Sequence, residues 1–260
     1  MKTICCEITD KGSSKMKNQD SSFVGCFSDY GCQAAFGIIC DGVGSYIHSE
    51  LASTWAVNAF SDWFLQCYRN ISCINDENEF CSILYDRWNA IFDNINDYII
   101  RFSEINDIKL ACTLSCILVR ERNYYILHIG DTRIYSISED IIRLTEDHTV
   151  TQRNIRQGFI TDIDAKADSG KHILTKCLAS KKHVSPDFYC GCISGTTKYL
   201  ICSDGFSNNI DENKLLETFG YNKRLDASGL KKATKKVIRT DRSSGEKDNI
   251  TAVVIQLSEE

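Results

Sequence analysis

Apolar positions recur with two different periods, and the change of period divides the chain. Thr3–Ile8, Ser22–Phe27 and Ala34–Cys40 are short β-type runs separated by polar turns. Ala52, Ala56, Ala59, Phe60, Trp63, Phe64 and Cys67 then fall on one face of a helix from about Ser49 to Tyr68. A second long helix carries Phe80, Leu84, Trp88, Ile91, Ile95, Tyr98, Ile99 and Phe102 on its stripe. Two long helices in succession predict an antiparallel pair laid on a sheet. Strands return at Leu110–Val119, Tyr124–Ile129, Arg133–Ser138 and Ile141–Leu144, spaced as in an antiparallel meander. Glu146–Gln157 reads as a short helix stopped by Gly158, and 159–182 as a polar, irregular surface excursion. A strand at Lys198–Ser203, helices at about 211–219 and 226–238, and a last strand at Ile250–Leu257 complete the chain. This order predicts an α+β sandwich with helices outside two antiparallel sheets, and it lacks the alternation of a doubly wound fold. With no repeat or linker tract, residues 1–260 read as one domain.

Composition narrows the function. The chain has 260 residues, 43% of them hydrophobic and 25% charged, enough for a sizeable core without staples. A net charge of −5 argues against nucleic acid or an anionic membrane as partner. No apolar run reaches membrane-spanning length. The segment Met1–Glu7 lacks the pattern of a signal peptide, so the expected location is cytoplasmic. Of the fourteen cysteines, most sit singly in apolar runs or on helical faces; no pair has C-x2-C spacing, and Cys190-Gly191-Cys192 is one isolated C-x-C. They read as free, mostly buried thiols rather than a zinc site or a disulfide framework.

The aspartates carry the chemistry. Phe36–Cys40 runs into Asp41-Gly42, Tyr199–Ser203 into Asp204-Gly205, and Tyr125–Ile129 into Gly130-Asp131. Asp20 directly precedes the second strand, and Asp248-Asn249 the last. Any one of these is ordinary turn chemistry. Five carboxylates at the tips of core strands can instead converge on one cleft, where hard divalent cations would offset their repulsion.

Several ordered motifs resemble those of the PP2C-type (PPM) metal-dependent serine/threonine protein phosphatases, in a compact, bacterial-like form. They are Lys15-Met16-Lys17-Asn18-Gln19-Asp20, Cys40-Asp41-Gly42-Val43-Gly44 and Ser49-Glu50-Leu51-Ala52-Ser53. Next come Cys112-Thr113, His128-Ile129-Gly130-Asp131-Thr132-Arg133 and Leu144-Thr145-Glu146-Asp147-His148-Thr149. Cys202-Ser203-Asp204-Gly205-Phe206 and Asp248-Asn249-Ile250-Thr251 close the set. The resemblance implies an α-β-β-α four-layer sandwich with two Mn²⁺ or Mg²⁺ ions at one end. Asp20, Asp41, Asp204 and Asp248 would be ligands, Asp41 bridging both ions, and Gly42 would add its backbone carbonyl. Asp131 with Asp204 would form a weaker third site. The implied reaction is hydrolysis of phosphoserine and phosphothreonine in proteins by a water that the two ions activate, with no cysteine nucleophile. Implied partners are phosphorylated proteins and an opposing Ser/Thr kinase, with the chain acting as a monomer.

The sequence also departs from that pattern. Lys15 stands where the family has a phosphate-binding arginine; it keeps the charge and loses the bidentate fork. It is read either as the phosphate contact or as a solvated charge with Lys17 or nothing in its place. His148 is read either as a group near the phosphate or leaving oxygen, or as a structural histidine. Asn249 and Thr251 are expected to hold the Asp248 turn, and Arg133 to pair with a structural carboxylate. Two other functions stay open: a catalytically weak phosphoprotein-binding or regulatory module on the same scaffold, and a phosphatase for a small metabolite.

Overall fold

The computed structural model describes residues 2–29, 32–165, 167–192, 195–208, 211–221, 223–243 and 245–258. The first strands are β1 (Lys2–Asp10), β2 (Asp20–Asp29) and β3 (Cys32–Asp41). Helices α1 (Ser49–Gln66), α2 (Arg69–Ser72) and α3 (Glu77–Asn106) follow. Then come β4 (Leu114–Arg120), β5 (Asn123–Ile129), β6 (Arg133–Ile137) and β7 (Ile141–Arg143). Helices α4 (Val150–Arg156) and α5 (Asp162–Ala165) and a 3-10 turn at Ser169–His172 lead to β8 (Asp187–Cys192) and β9 (Thr197–Cys202). Last are α6 (Asp204–Ser207), α7 (Glu212–Phe219), α8 (Ala227–Ser243) and β10 (Ile250–Ser258).

Two five-stranded antiparallel sheets result, ordered β1-β10-β9-β6-β7 and β2-β3-β4-β5-β8. Side-chain alternation builds the layers. On β3, Ala34, Phe36, Ile38 and Cys40 face α1 and α3, while Ala35 and Ile39 face the opposite sheet. On β9 and β10, Leu200, Cys202, Ala252 and Val254 face α7 and α8, whereas Tyr199, Ile201, Val253 and Ile255 point inward. The expected four-layer α-β-β-α sandwich is therefore present. α1 buries Ala52, Ala56, Phe60, Trp63 and Phe64, the face read from its period. α3 begins where the Asp76 side chain accepts a hydrogen bond from the Glu79 amide at 2.9 Å. Among the described residues no helix is long and apolar enough to cross a membrane.

Four expectations are corrected. The meander is not continuous: β4–β5 and β6–β7 are hairpins in different sheets. The chain crosses between the sheets at Gly130, whose φ of +110° and 2.5 Å clearance to Thr113 Cγ2 leave no room for a side chain. The place that β6 would have taken beside β5 is filled by β8, which the sequence reading missed. β8 is a half-exposed edge strand, and Gly191 interrupts its apolar pattern to leave space for the Tyr124 ring. The helix expected from Glu146 begins only at Val150. His148 is tied to Gly130, and the Thr149 hydroxyl caps the Gln152 amide at 3.2 Å. The excursion 159–182 is more than surface, because Leu178 is fully buried and its amide donates to the Cys112 carbonyl at 2.9 Å.

Candidate metal centre

The ends of both sheets meet at one cleft of about 420 Å³, lined by Lys15, Asp41, Gly42, Asp131, Asp204 and Asp248 among others. Asp20 and Asp41 are direct cross-strand partners in the β2–β3 ladder, an arrangement of like charges that a sheet tolerates poorly on its own. Asp204 opens α6 just after β9, Asp248 precedes β10, and Asp131 sits in the crossover between the sheets.

Backbone and hydroxyl contacts fix these carboxylates. The Thr251 hydroxyl, reaching from β10, donates to Asp20 Oδ2 at 2.6 Å. The Asp41 amide donates to Thr113 Oγ1 at 2.9 Å, and the Thr113 amide to the Asp41 carbonyl at 2.8 Å. Asn249 clamps the neighbouring loops: its Oδ1 accepts from the Gln19 amide at 2.9 Å and its Nδ2 donates to the Lys11 carbonyl at 2.7 Å. The Asn249 side chain ties its turn to the Lys11 and Gln19 loops instead of bonding Asp248, and Thr251 serves Asp20 rather than the Asp248 turn. Gly42 is required for packing, because a Cβ there would lie 2.8 Å from Ser49 Cβ at the start of α1. At Gly205 a Cβ would overlap the Asn249 carbonyl oxygen.

The electrostatics are those of a cluster short of positive charge. Burial, then the fields of Asp20, Asp204 and Asp131, push the Asp41 carboxyl well above the usual range. Burial and Asp204 do the same to Asp131. Burial raises Asp20 to about 6, against the opposing Thr251 hydrogen bond. Asp204 is raised by burial and by Asp248. Asp20 Oδ1 is enclosed and meets no hydrogen-bond donor. An orphaned carboxylate oxygen beside carboxylates that resist ionisation fits a divalent cation bound through oxygen. Among the described residues no three acidic, histidine or cysteine side chains already form a cage. Neighbouring rather than enclosing carboxylates suit ions that keep several waters.

Lys15 reaches the cleft, and its Nζ pairs with Asp248 Oδ1 at 2.9 Å. Partial burial works to lower its pKa, but Asp248, Asp41 and Asp204 outweigh it and hold the ammonium above its usual range. Gly44 leaves the passage, since a Cβ there would lie 2.7 Å from that Nζ. Lys17 is turned away onto Glu50 at 2.6 Å. His148 does not line the cleft. Its Nδ1 accepts from the Gly130 amide at 3.0 Å, so the proton lies on Nε2, which faces Asp187 Oδ2 at 3.1 Å. Arg133 pairs with Asp147 at 2.7 Å, as expected.

Two features escaped the sequence reading. His172 lies on the cleft wall with Cys177 and Ser180, carried there by the unpatterned 159–182 segment. Cys81 and Cys116 are each followed six residues later by an arginine, Arg87 and Arg122, the spacing of a cysteine-phosphatase loop. Neither can act as one. Cys81 to Arg87 lies inside α3, where the amides are committed to the helix, and burial with Cys190 raises the Cys81 thiol to about 11. Cys116 is fully buried in β4, and burial pushes its thiol up further.

A recessed carboxylate cluster held jointly by two sheets, with no activated thiol beside it among the described residues, has the donor chemistry that hard divalent cations take. The chain belongs to the protein phosphatase 2C family, whose model matches residues 10–239. It is 26% identical over 252 residues to the serine/threonine phosphatase Stp of Listeria innocua, covering 95% of this chain and 93% of that protein. The fold is shared with Staphylococcus aureus serine/threonine phosphatase Stp1, with a TM-score of 0.82, 21% identity, and 100% and 96% of the two chains covered. It is shared also with the catalytic domain of the phosphatase PstP in complex with two manganese ions, with a TM-score of 0.77, 22% identity and 99% of each chain covered.

Proposed function

We propose that this chain hydrolyses phosphoserine and phosphothreonine in proteins with the help of two Mn²⁺ or Mg²⁺ ions. Asp20, Asp41, Asp204 and Asp248 would hold them with the Gly42 carbonyl, Asp41 between the two, and Asp131 with Asp204 would offer a third site. The observation that carries this reading is the enclosed, unpartnered Asp20 oxygen beside Asp41, Asp131 and Asp204, all resisting ionisation. When bound, the ions supply charge for the phosphoryl oxygens and acidify an attacking water.

The chain's own residues do the rest. Thr251 and Thr113 orient Asp20 and Asp41, so that the carboxylates need not reorganise during reaction. Lys15 places an ammonium at the cleft wall to take a phosphoryl oxygen once it leaves Asp248. His148 acts at one remove, fixing the Gly130 amide and with it the turn that carries Asp131. One domain over 1–260 suits this reading, because both sheets contribute to the site. The partners would be phosphoproteins, opposed by a Ser/Thr kinase, with the chain working as a monomer. A reducing, cytoplasmic setting is part of this reading, in keeping with cysteines that lack the spacing of a zinc site.

Turnover of a phosphothreonine peptide with and without Mn²⁺ tests the proposal. Metal-dependent release of phosphate is expected. Phosphopeptide binding without turnover would favour the regulatory module. Turnover of p-nitrophenyl phosphate with a whole phosphopeptide panel refused would favour a small-metabolite substrate.

A further inference from the structure

β1 and β2 are the edge strands of different sheets, yet they lie side by side along one flank of the sandwich. Their facing side chains meet in antiparallel order. Asn18 Nδ2 donates to Thr9 Oγ1 at 2.7 Å, the Ser22 hydroxyl to Glu7 Oε1 at 2.7 Å, and Cys5 Sγ lies 3.1 Å from Cys26 Sγ. Alternation along β1 selects the thiol. Cys5 faces the opposite sheet, whereas Cys6 points outward to Thr234 Oγ1 of α8 at 3.3 Å.

We propose that Cys5 and Cys26 form a covalent-modification site that consumes one equivalent of a peroxide and closes to a cross-sheet disulfide. Cys26 is exposed and Cys5 partly buried, so an oxidant meets Cys26 first. The hydrogen bond between the two sulfurs, in which either can donate, lowers the Cys26 thiol to about 7, outweighing the opposing effect of burial. Among the described cysteines with a shifted pKa, Cys26 alone is shifted downward. It is the thiol poised as a nucleophile at neutral pH.

The Cys26 thiolate attacks one peroxide oxygen and the O–O bond breaks. The departing hydroxide takes a proton to become water, and Cys26 becomes a sulfenic acid. The Cys5 sulfur then attacks the Cys26 sulfur. Its proton leaves with the displaced hydroxide as a second water, and the S–S bond forms. Two thiols lose two electrons and two protons in all, which the peroxide accepts. The sulfurs must close by about 1 Å to the ~2.05 Å of a disulfide. In a reducing compartment the pair rests as thiols and closes only under oxidant.

The bond would join residues 21 apart in the chain and bolt together two edges that share no ladder. A rise in Tm of about 5 °C or more is expected from a loop of that size. Cys26 lies roughly 20 Å along β2 from Asp20, so turnover should persist in the oxidised protein.

The test treats the full chain and its Cys5→Ser, Cys26→Ser and Cys6→Ser variants with hydrogen peroxide, followed by intact mass, free-thiol titration and melting. Wild type and Cys6→Ser should each lose two hydrogens and two titratable thiols, melt higher, and revert with dithiothreitol. Cys5→Ser should stop at a single-oxygen adduct on Cys26 that dimedone traps, and Cys26→Ser should not react at either position. The proposal falls if the two-hydrogen loss survives in Cys5→Ser or Cys26→Ser. It falls equally if wild type stays reduced while Cys26 remains free of oxygen, or if Cys26 links to any cysteine other than Cys5.

Discussion

Asp147 and Asp41 are both acidic residues held next to core strands, and the protein treats them in opposite ways. Asp147 is buried, takes hydrogen bonds from Arg133 at 3.0, 3.1 and 2.7 Å, and has Arg143 3.6 Å away. Asp41 stands opposite Asp20 in the ladder and within the fields of Asp204 and Asp131. Arginine closes the account at Asp147 from within the chain. At the cleft, the one lysine on the described wall is engaged by Asp248, and the remaining negative charge is left for something the chain does not encode. Satisfied carboxylates are architecture; unsatisfied ones in a cleft are demand for a cation.

That contrast can be broken most forcefully at the cluster. Asp41→Asn and Asp204→Asn should each lower Mn²⁺-dependent turnover by about a thousandfold or more, because each would remove a charged ligand from the proposed metal site. Both variants should melt no lower than wild type without metal, since each relieves repulsion. Near-wild-type activity in either would remove the residue from the site. Arg133→Ala should do the reverse. It leaves Asp147 buried with only the longer Arg143 contact, costing about 3 kcal/mol in urea unfolding, while turnover still depends on metal.

A proton-linked test separates the histidines from the aspartates. Burial first, then the stacked His148 ring with centroids 4.9 Å away, lowers His128 to about 4 from 6.5. The unfolded chain therefore binds a proton that the fold refuses as pH falls below 6.5. The stability contributed by neutral His128 should decline between pH 6.5 and 4 by about 3 kcal/mol. NMR titration should place its midpoint near 4, and His128→Gln should lack this part of the acid loss. A midpoint at 6 or above would contradict the enclosed, neutral imidazole.

The smallest effect concerns the cation already in the cleft. Lys15→Ala should raise KM for a phosphopeptide and lower kcat/KM by about 1.5–3 kcal/mol, the worth of a hydrogen bond to a charged group. Gly44→Ala should mimic it by displacing the ammonium, while Lys15→Arg should lower KM several-fold through a bidentate grip. An unchanged kcat/KM in Lys15→Ala would reduce the residue to a loop charge.

Local signals made much of this molecule readable. The Asp-Gly steps after β3 and β9, the period-2 runs before them and the stripes of α1 and α3 are written in adjacent residues. What was hidden depends on distant partners. That β5 and β6 part company follows from Gly130 meeting Thr113 and His148, which no window of sequence brings together. β8 is read as a strand only once Tyr124 explains Gly191. His172 reaches the cleft on a segment whose course is set by buried Leu178 pairing with Cys112, and polarity alone gives no hint of that anchor. His148 carried a motif signal, but its job is legible only from which nitrogen accepts the Gly130 proton.

The pairing of β1 with β10 has a consequence for how the molecule is made. β1 borders no other strand in its sheet, and Asp10 waits for Ile250, roughly 240 residues downstream. At ribosomal speeds that delay is on the order of 10–50 s, during which the first strand is exposed with a bare edge. Asp248 is synthesised just before the strand that ends the wait, so the cleft cannot be completed until residues 248–258 have emerged. A nascent chain stalled anywhere earlier would lack one wall of the cleft and the partner of two strands, and would be a natural client for chaperones.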